Sequence, residues 1–357
     1  MSRVPDEYPQ PMRAVMYDGY LQPLRVAEVP DPSPPSDGIV LRVEAAGLCR
    51  SDWHSWHGHD DDIPAFPHVP GHEFAGTIVA VGAEVSRWRV GDRVLTPFVC
   101  ACGLCLVCEA GNHQVCPHQW QPGFDGWGGF AELVALPAAD VNLVSIPREV
   151  SMSTAASLGC RVATAHRAIA TVGAVRAGEE VVIHGCGGVG LSAVMIARAL
   201  GARVTAIDPS PAARELAARF GAAVTLDPRE GDLVYEIVQA TDGGPHLSLE
   251  ALGRAETCRI SIESLRPRGR HVQVGLLSPA TTQDPVPMHR VIARELQVLG
   301  SHGMAAHDYP ELLDLVTSGR IRPDLMIART ISLDDVPAAF AEIGSPTQPA
   351  GVTILVP

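Results

Sequence analysis

Residues 180–190 read Glu180-Val181-Val182-Ile183-His184-Gly185-Cys186-Gly187-Gly188-Val189-Gly190, and the fold is decided there. Glu180 to Ile183 has the apolar, β-branched texture of a buried strand, Leu191 to Leu200 is helix-forming, and Arg203-Val204-Thr205-Ala206-Ile207 reads as a second strand. Strand, glycine turn, helix and strand make a βαβ unit. The turn fits G-x-G-x-x-G: Gly185 permits the tight bend, Gly187 lets the backbone approach a pyrophosphate, and Gly190 allows the helix to pack closely on the strand. Gly188 and Val189 complete the turn, and the helix N-terminus favours the negative charge. Asp208 ends the next strand, about 20 residues on, where a carboxylate can accept hydrogen bonds from adenosine ribose hydroxyls and repels a 2′-phosphate. The expected ligand is a dinucleotide, NAD in preference to NADP, although Arg203 and Arg214 lie near enough in sequence to weaken that preference. The alternative, a structural glycine turn beside a surface aspartate, is disfavoured by the complete βαβ context.

Strand and helix alternate onward through Val272-Gln273-Val274 and Leu296-Gln297-Val298-Leu299, which implies a doubly wound α/β domain with a parallel sheet. Upstream the texture differs. From Met12 to Val99 short β-rich runs such as Ile39-Val40-Leu41-Arg42-Val43 and Gly76-Thr77-Ile78-Val79-Ala80-Val81 alternate with Gly and Pro, suggesting a compact barrel-like domain. The chain closes on the apolar run Val352-Thr353-Ile354-Leu355-Val356. At 357 residues it exceeds the usual size of one hydrophobic core, so two domains are expected. A net charge of -13 argues against nucleic acid as a partner. The start, Met1-Ser2-Arg3-Val4-Pro5-Asp6-Glu7, lacks the apolar run of a secretory signal, and Val181 to Leu200 is interrupted by His184, Arg198 and glycines. No membrane span and a cytoplasmic location are the expectations.

Nine cysteines without an export signal are a poor disulfide framework, and four of them are bunched. Cys102, Cys105, Cys108 and Cys116 form C-x2-C-x2-C-x7-C. Four thiolates in one short loop can close a tetrahedral zinc shell with no open position, the mark of a structural site. A second, dispersed set comprises Cys49 in Cys49-Arg50-Ser51-Asp52-Trp53-His54, His72-Glu73 after Gly71, and Cys160. Spacing alone leaves that set undecided, since a lone cysteine is more often a small core residue and a lone histidine a satisfied polar one.

Taken together, Cys49-Arg50-Ser51-Asp52-x-His54, Gly71-His72-Glu73, the four-cysteine loop, Cys160 and the Gly185 to Gly190 turn resemble the zinc-containing alcohol dehydrogenases, in the same order and at matching separations over nearly the whole chain. The resemblance implies a medium-chain dehydrogenase/reductase: a β-rich GroES-like catalytic domain over 1–160 and 299–357, a Rossmann dinucleotide domain over 161–298, and an active site in the cleft between them. It implies two zinc ions, a structural one in the four-cysteine loop and a catalytic one on Cys49, His72 and Cys160 with a fourth position open. Glu73 is similar to the family's alternate ligand, and Asp52 to the carboxylate that orients the ligand histidine. Ser51 and His54 match the proton relay from the substrate oxygen, and Arg50 the pyrophosphate contact. Thr164, Val189 and the Val274-Gly275-Leu276 backbone match positions around the nicotinamide.

The implied chemistry is reversible hydride transfer between NAD and a primary or secondary alcohol, aromatic ones included. A homo-oligomer is implied too, a tetramer with a dimer as alternative. Relatives acting on polyols, amino alcohols or formaldehyde adducts are the competing enzymes; polyol and threonine enzymes more often carry a carboxylate where Cys160 stands. Zinc-free quinone and enoyl reductases lack both cysteine sets. A noncatalytic NAD- or zinc-binding protein on this fold would be expected to have lost a ligand or a relay residue. Two departures stand out: Ala213, where the family often has a lysine on the ribose, and Arg161, larger and more charged than expected beside Cys160. Trp53, Trp56, Trp120 and Trp127 are candidates for the substrate channel, or else for packing. Cys100, Cys186 and Cys258 have no ligand role. His57, His59, His68, His113 and His118 are assigned to exposed loops, and Asp60-Asp61-Asp62 to a solvated run.

Overall fold

The computed structural model describes residues 11–59, 63–277, 286–345 and 348–357; the Asp60-Asp61-Asp62 run and the Met1 to Glu7 start lie outside the described residues. The chain divides into two compact units, one of residues 1–159, 329–348 and 353–357, the other of residues 160–328 and 349–352.

The first unit is the β-rich one. An antiparallel hairpin pairs β1 (Met12–Met16) with β2 (Arg25–Val29). The main sheet is built on β3 (Ile39–Gly47), a strand buried almost throughout because it has neighbours on both edges. On one edge β3 pairs antiparallel with β4 (Phe74–Val81), which carries the sheet on through β5 (Arg93–Leu95) to β7 (Val144–Ser145). On the other edge β6 (Leu133–Leu136) covers the start of β3, and Val352–Leu355 its end. Register shifts after Val40 and Val43 let so long a strand bend, as bulges do in barrel-like sheets. Phe74, Ile78, Leu41, Phe130 and Phe340 fill the interior.

The second unit carries a six-stranded sheet, all of its described pairings parallel: β8 (Glu180–His184), β9 (Arg203–Ile207), β10 (Val224–Leu226), β11 (Leu247–Glu250), β12 (Arg270–Gln273) and β13 (Gln297–Gly300). The spatial order β10-β9-β8-β11-β12-β13 reverses between β8 and β11, the dinucleotide-binding doubly wound order. Both parts of the expected fold class are therefore present.

One boundary differs from expectation. The chain remains in the second unit past residue 299 and leaves it only at Arg329. Helix Tyr309–Thr317 buries Tyr309, Leu312 and Leu315 along one stripe and packs on helix Ala163–His166, and Met326 reaches Ser192 on helix Gly188–Ala199. Among the described residues no helix is long and apolar enough to cross a membrane.

Candidate active site

Cys49 is the N-cap of helix Arg50–Trp56, in an extended conformation at φ -114°. Three residues into the helix, the buried Asp52 turns back: one carboxylate oxygen accepts from the Cys49 N–H at 3.3 Å, the other from the Gly71 N–H at 3.1 Å and from His72 Nδ1 at 2.7 Å. Gly71 has φ +105°, and a side chain there would collide with Phe130, so only glycine presents His72 in this way. With Nδ1 committed to Asp52, His72 offers Nε2, which is buried with no hydrogen-bond partner among the described residues. Cys160 arrives from another segment, in a π-helical turn spanning Leu158–Val162; such wide turns recur at functional sites. The ligand atoms of Cys49, His72 and Cys160 lie within 4.8 Å of one another. Burial opposes protonation of His72, but Asp52 and the Cys49 sulfur outweigh it and raise its pKa well above the ordinary value. A site this favourable to positive charge, with a histidine nitrogen and two thiols converging, suits a borderline-soft cation such as zinc.

Glu73 is fully buried, its carboxylate lying where a side chain on Gly47 would sit. The rings of Phe124 and Phe98 pack on His72 at centroid distances of 5.1 and 6.0 Å, giving the site apolar walls. Neither phenylalanine carried a sequence signal, because nothing in their neighbourhood marks them out from other core aromatics. Ser51 and His54, three apart, share one face of helix Arg50–Trp56, with Ser51 Oγ 3.8 Å from Cys49 Sγ. Arg50 is exposed at the same helix end and lies over Trp53 at 5.9 Å.

The second cluster is separate. Sulfur–sulfur distances are 3.5 Å for Cys105–Cys108 and Cys102–Cys116, 3.8 Å for Cys105–Cys116 and 3.9 Å for Cys102–Cys108. A zinc ion with bonds of ~2.3 Å to four thiolates spaces its sulfurs ~3.8 Å apart, so the loop already has the right size. The backbone N–H of Leu104 pulls the Cys102 thiol down to about 6, while burial pushes Cys108 up to about 12. A cation bound among the four sulfurs would favour the thiolate form of each.

In the second unit the glycine turn follows β8. Gly185 has φ +92°, and a side chain on Gly190 would overlap the Gly185 carbonyl, which is the close packing of helix on turn expected from the motif. Space beside Gly187 is open. Helix Gly188–Ala199 has no side-chain cap, leaving its first N–H groups for an anionic ligand. Asp208 accepts from the Cys186 N–H and the Ser210 N–H, both at 2.8 Å, and so is held at the turn. Arg214 and Arg229 both bind Asp227, which their hydrogen bonds and charge hold well below the usual carboxylate range. Thr164 Oγ1 is buried with no hydrogen-bond partner among the described residues. Gly275 meets the Gly253 backbone, and its N–H and that of Val274 donate to the Glu250 carbonyl; Leu276 is exposed at the end of this segment. Sequence reading missed Glu250, whose carboxylate accepts from Leu252, Gly253 and Gln273 and fixes both loops at the point where strand order reverses. Its only signal was an acid ending an apolar strand.

Arg161 is buried and lies against Gly188, so that a side chain on Gly188 would run into the arginine's Cδ. This unexpected arginine is thus matched to a glycine within the nucleotide turn.

Family profiles match the chain in two places: that of the zinc-binding dehydrogenases over residues 188–318, and that of the alcohol dehydrogenase GroES-like domain over residues 35–148. An alcohol dehydrogenase of Geobacillus stearothermophilus is 32% identical over 326 residues, 91% of this chain and 95% of that one. The chain belongs to the zinc-binding alcohol dehydrogenase superfamily. Among solved structures, a zinc-binding dehydrogenase from Sinorhizobium meliloti 1021 bound to NADP has a TM-score of 0.88 and 31% identity, covering 97% of this chain and 99% of that one. An alcohol dehydrogenase from Escherichia coli CFT073 complexed with NADH has a TM-score of 0.87 and 26% identity, with the same coverages. As a zinc-binding alcohol dehydrogenase, this protein is an oxidoreductase with a site for zinc-dependent hydride transfer at CH–OH groups.

The dehydrogenase's tryptophans divide. Trp53 stacks on His57 at 3.6 Å on the helix that carries Ser51 and His54. Trp56 donates to the Gln22 carbonyl and packs edge-on to Phe340, a packing role. Trp120 and Trp127 line an apolar groove of about 310 Å³ with Met12, Pro32 and Pro35, and none of the three ligand residues of the Cys49 cluster lines it. His68, assigned from sequence to an exposed loop, is buried instead, its Nε2 2.9 Å from the Gly123 carbonyl. Cys100, Cys186 and Cys258 are buried and belong to neither cluster.

Proposed function

We propose that this enzyme interconverts primary or secondary alcohols, aromatic ones included, with their aldehydes or ketones, using NAD, at a zinc site formed by Cys49, His72 and Cys160. The converging ligand triad with Asp52 behind His72 is the observation that carries the reading. Zinc bound there supplies a Lewis acid that makes an alcohol's proton easier to remove, and NAD supplies the hydride acceptor. The protein's own part is positional. Asp52 holds His72 in the tautomer that presents Nε2, and the buried Glu73, next to His72 in sequence, is the carboxylate that the family resemblance assigns as an alternate ligand. Ser51 Oγ takes the proton from the substrate oxygen as it gives up its own hydroxyl proton, which His54 carries outward. The four-cysteine loop, which has no open position, holds the structural zinc.

The apolar packing of Phe98 and Phe124 on His72 supports simple or aromatic alcohols over polyols, amino alcohols and formaldehyde adducts. For the cofactor, the uncapped helix and Gly187 receive the pyrophosphate, Gly188, Gly190 and Val189 shape the turn, and Arg50 keeps the phosphate-contact role that the family resemblance implies. Thr164 Oγ1 and the Val274-Gly275-Leu276 backbone meet the nicotinamide. NAD is favoured over NADP because Asp208 presents a carboxylate to the ribose, while Arg214 and Arg229 are engaged by Asp227. The exposed Val298 on the outer strand β13, with Ile292 on the preceding helix, supports a homo-oligomer, tetramer or dimer. The test is cofactor reduction with a panel of benzyl, short primary, secondary and polyhydric alcohols, with NAD and NADP in parallel. Turnover with benzyl or short alcohols and NAD is expected; turnover confined to polyols, or to NADP, would overturn the reading at that point.

A further inference from the structure

Helix Arg50–Trp56 ends at His57, and Gly58, at φ +68°, turns the chain back on itself. The His59 N–H then donates to the His54 carbonyl at 3.1 Å, and the two side chains meet: His54 Nδ1 and His59 Nδ1 are 2.9 Å apart, with ring centroids 5.2 Å apart at 44°. Two imidazole nitrogens at that distance share one proton, because two protons would repel and none would set lone pair against lone pair. The Trp53 ring lies edge-on to both, at 5.2 Å from His54 and 5.8 Å from His59. His54 is half-buried and His59 exposed, so the pair runs from the protein outward.

We propose that His59 is the terminal proton carrier of this dehydrogenase, receiving through its Nδ1 the proton that His54 takes from the substrate side. The inference rests on the reading of His54 as the relay residue. The step balances without any redox partner. A proton arrives at His54 Nε2; the Nδ1–H bond of His54 breaks as the Nδ1–H bond of His59 forms; the Nε2–H proton of His59 leaves to water or buffer. Each nitrogen keeps its electron pair, and solvent exchange at these accessible rings restores the starting tautomers.

The test compares native enzyme with His59→Phe and His59→Gln, the latter polar but unable to carry a proton at neutral pH. Proton release is followed with an indicator dye in a single turnover, beside hydride transfer by cofactor absorbance. In weak buffer, release in both variants is expected to lag hydride transfer by at least about 3-fold, and added imidazole to abolish the lag. A structural role for His59 would not be rescued by imidazole. Independently of turnover, nitrogen NMR of histidine-labelled protein should show coupling across the two Nδ1 atoms, lost in either variant. Release that keeps pace with hydride transfer in both variants, or no coupling in the native protein, would overturn the proposal while leaving the alcohol dehydrogenase reading intact. Failure of the native enzyme to oxidise any alcohol would bring down that reading, and the relay with it.

Discussion

Asp52 fixes two of the three ligand residues at once, through the Cys49 N–H and through His72 Nδ1. Asp52→Asn keeps the shape but loses the charge and the certainty of the histidine tautomer, so zinc at the triad should bind about 10–100-fold more weakly. Competition with a chelator measures this, and the four-cysteine loop, which Asp52 does not touch, should keep its zinc. Equal loss from both sites would mean that Asp52 acts on the fold rather than on the metal. With Asp208 proposed to meet the ribose, Asp208→Ser would remove a charge that disfavours a 2′-phosphate, and the ratio of kcat/KM for NADP to that for NAD should rise at least about 10-fold. An unchanged ratio would move the choice of cofactor away from Asp208. At this scale the sequence was most readable where the chemistry needs rare residue types, such as a histidine beside a glutamate after glycine. It was least readable where the same residue type serves two purposes: His68 and His72 both lie close before β4, yet one caps a carbonyl and the other offers a free nitrogen.

The glycine turn shows how an element can be legible in its own pattern and still hold something the pattern does not carry. Gly185 and Gly190 are required by the turn itself, through a positive φ and a backbone contact. Gly188 is required by Arg161, a side chain 27 positions earlier in the sequence, and no local motif reports such a pairing. Gly188→Ala should therefore destabilise the native protein by about 1–3 kcal/mol and recover much of that in an Arg161→Ala background. Gly190→Ala, whose collision is with backbone, should not recover in the same background. Urea unfolding of the native protein and these five variants decides the matter; equal costs for Gly188→Ala in both backgrounds would separate Arg161 from the turn. The wide turn at Cys160 was equally invisible in sequence, because a π turn differs from an α turn by hydrogen-bond register and not by composition.

For the whole molecule, the two architectures could be read from their different periodicities, but the point at which the chain leaves the second unit could not. Helix Tyr309–Thr317 is amphipathic, and its apolar stripe would suit either unit until its partner is known. Stability has a pH signature that the sequence also concealed. Burial lowers the pKa of His184 to about 3 and of His271 to about 4, whereas the same histidines in the unfolded chain ionise near 6.5. Between about pH 6.5 and about pH 4 the unfolded chain binds protons that the folded chain refuses, so stability falls as pH falls, by about 1.4 kcal/mol per pH unit for each histidine within that window. Acid also strips metal, so the discriminating variant is His184→Gln, remote in sequence from both clusters, in which the slope of unfolding free energy against pH should flatten. The proposed chemistry needs two zinc sites with different tasks, and the most direct measurement is elemental zinc per chain in native protein and Cys49→Ser, together with alcohol oxidation. Two zinc ions falling to about one, with the fold kept and activity lost, is the predicted result. Active native protein with one zinc or none, or a Cys49→Ser variant that keeps both zinc ions and full activity, would contradict it.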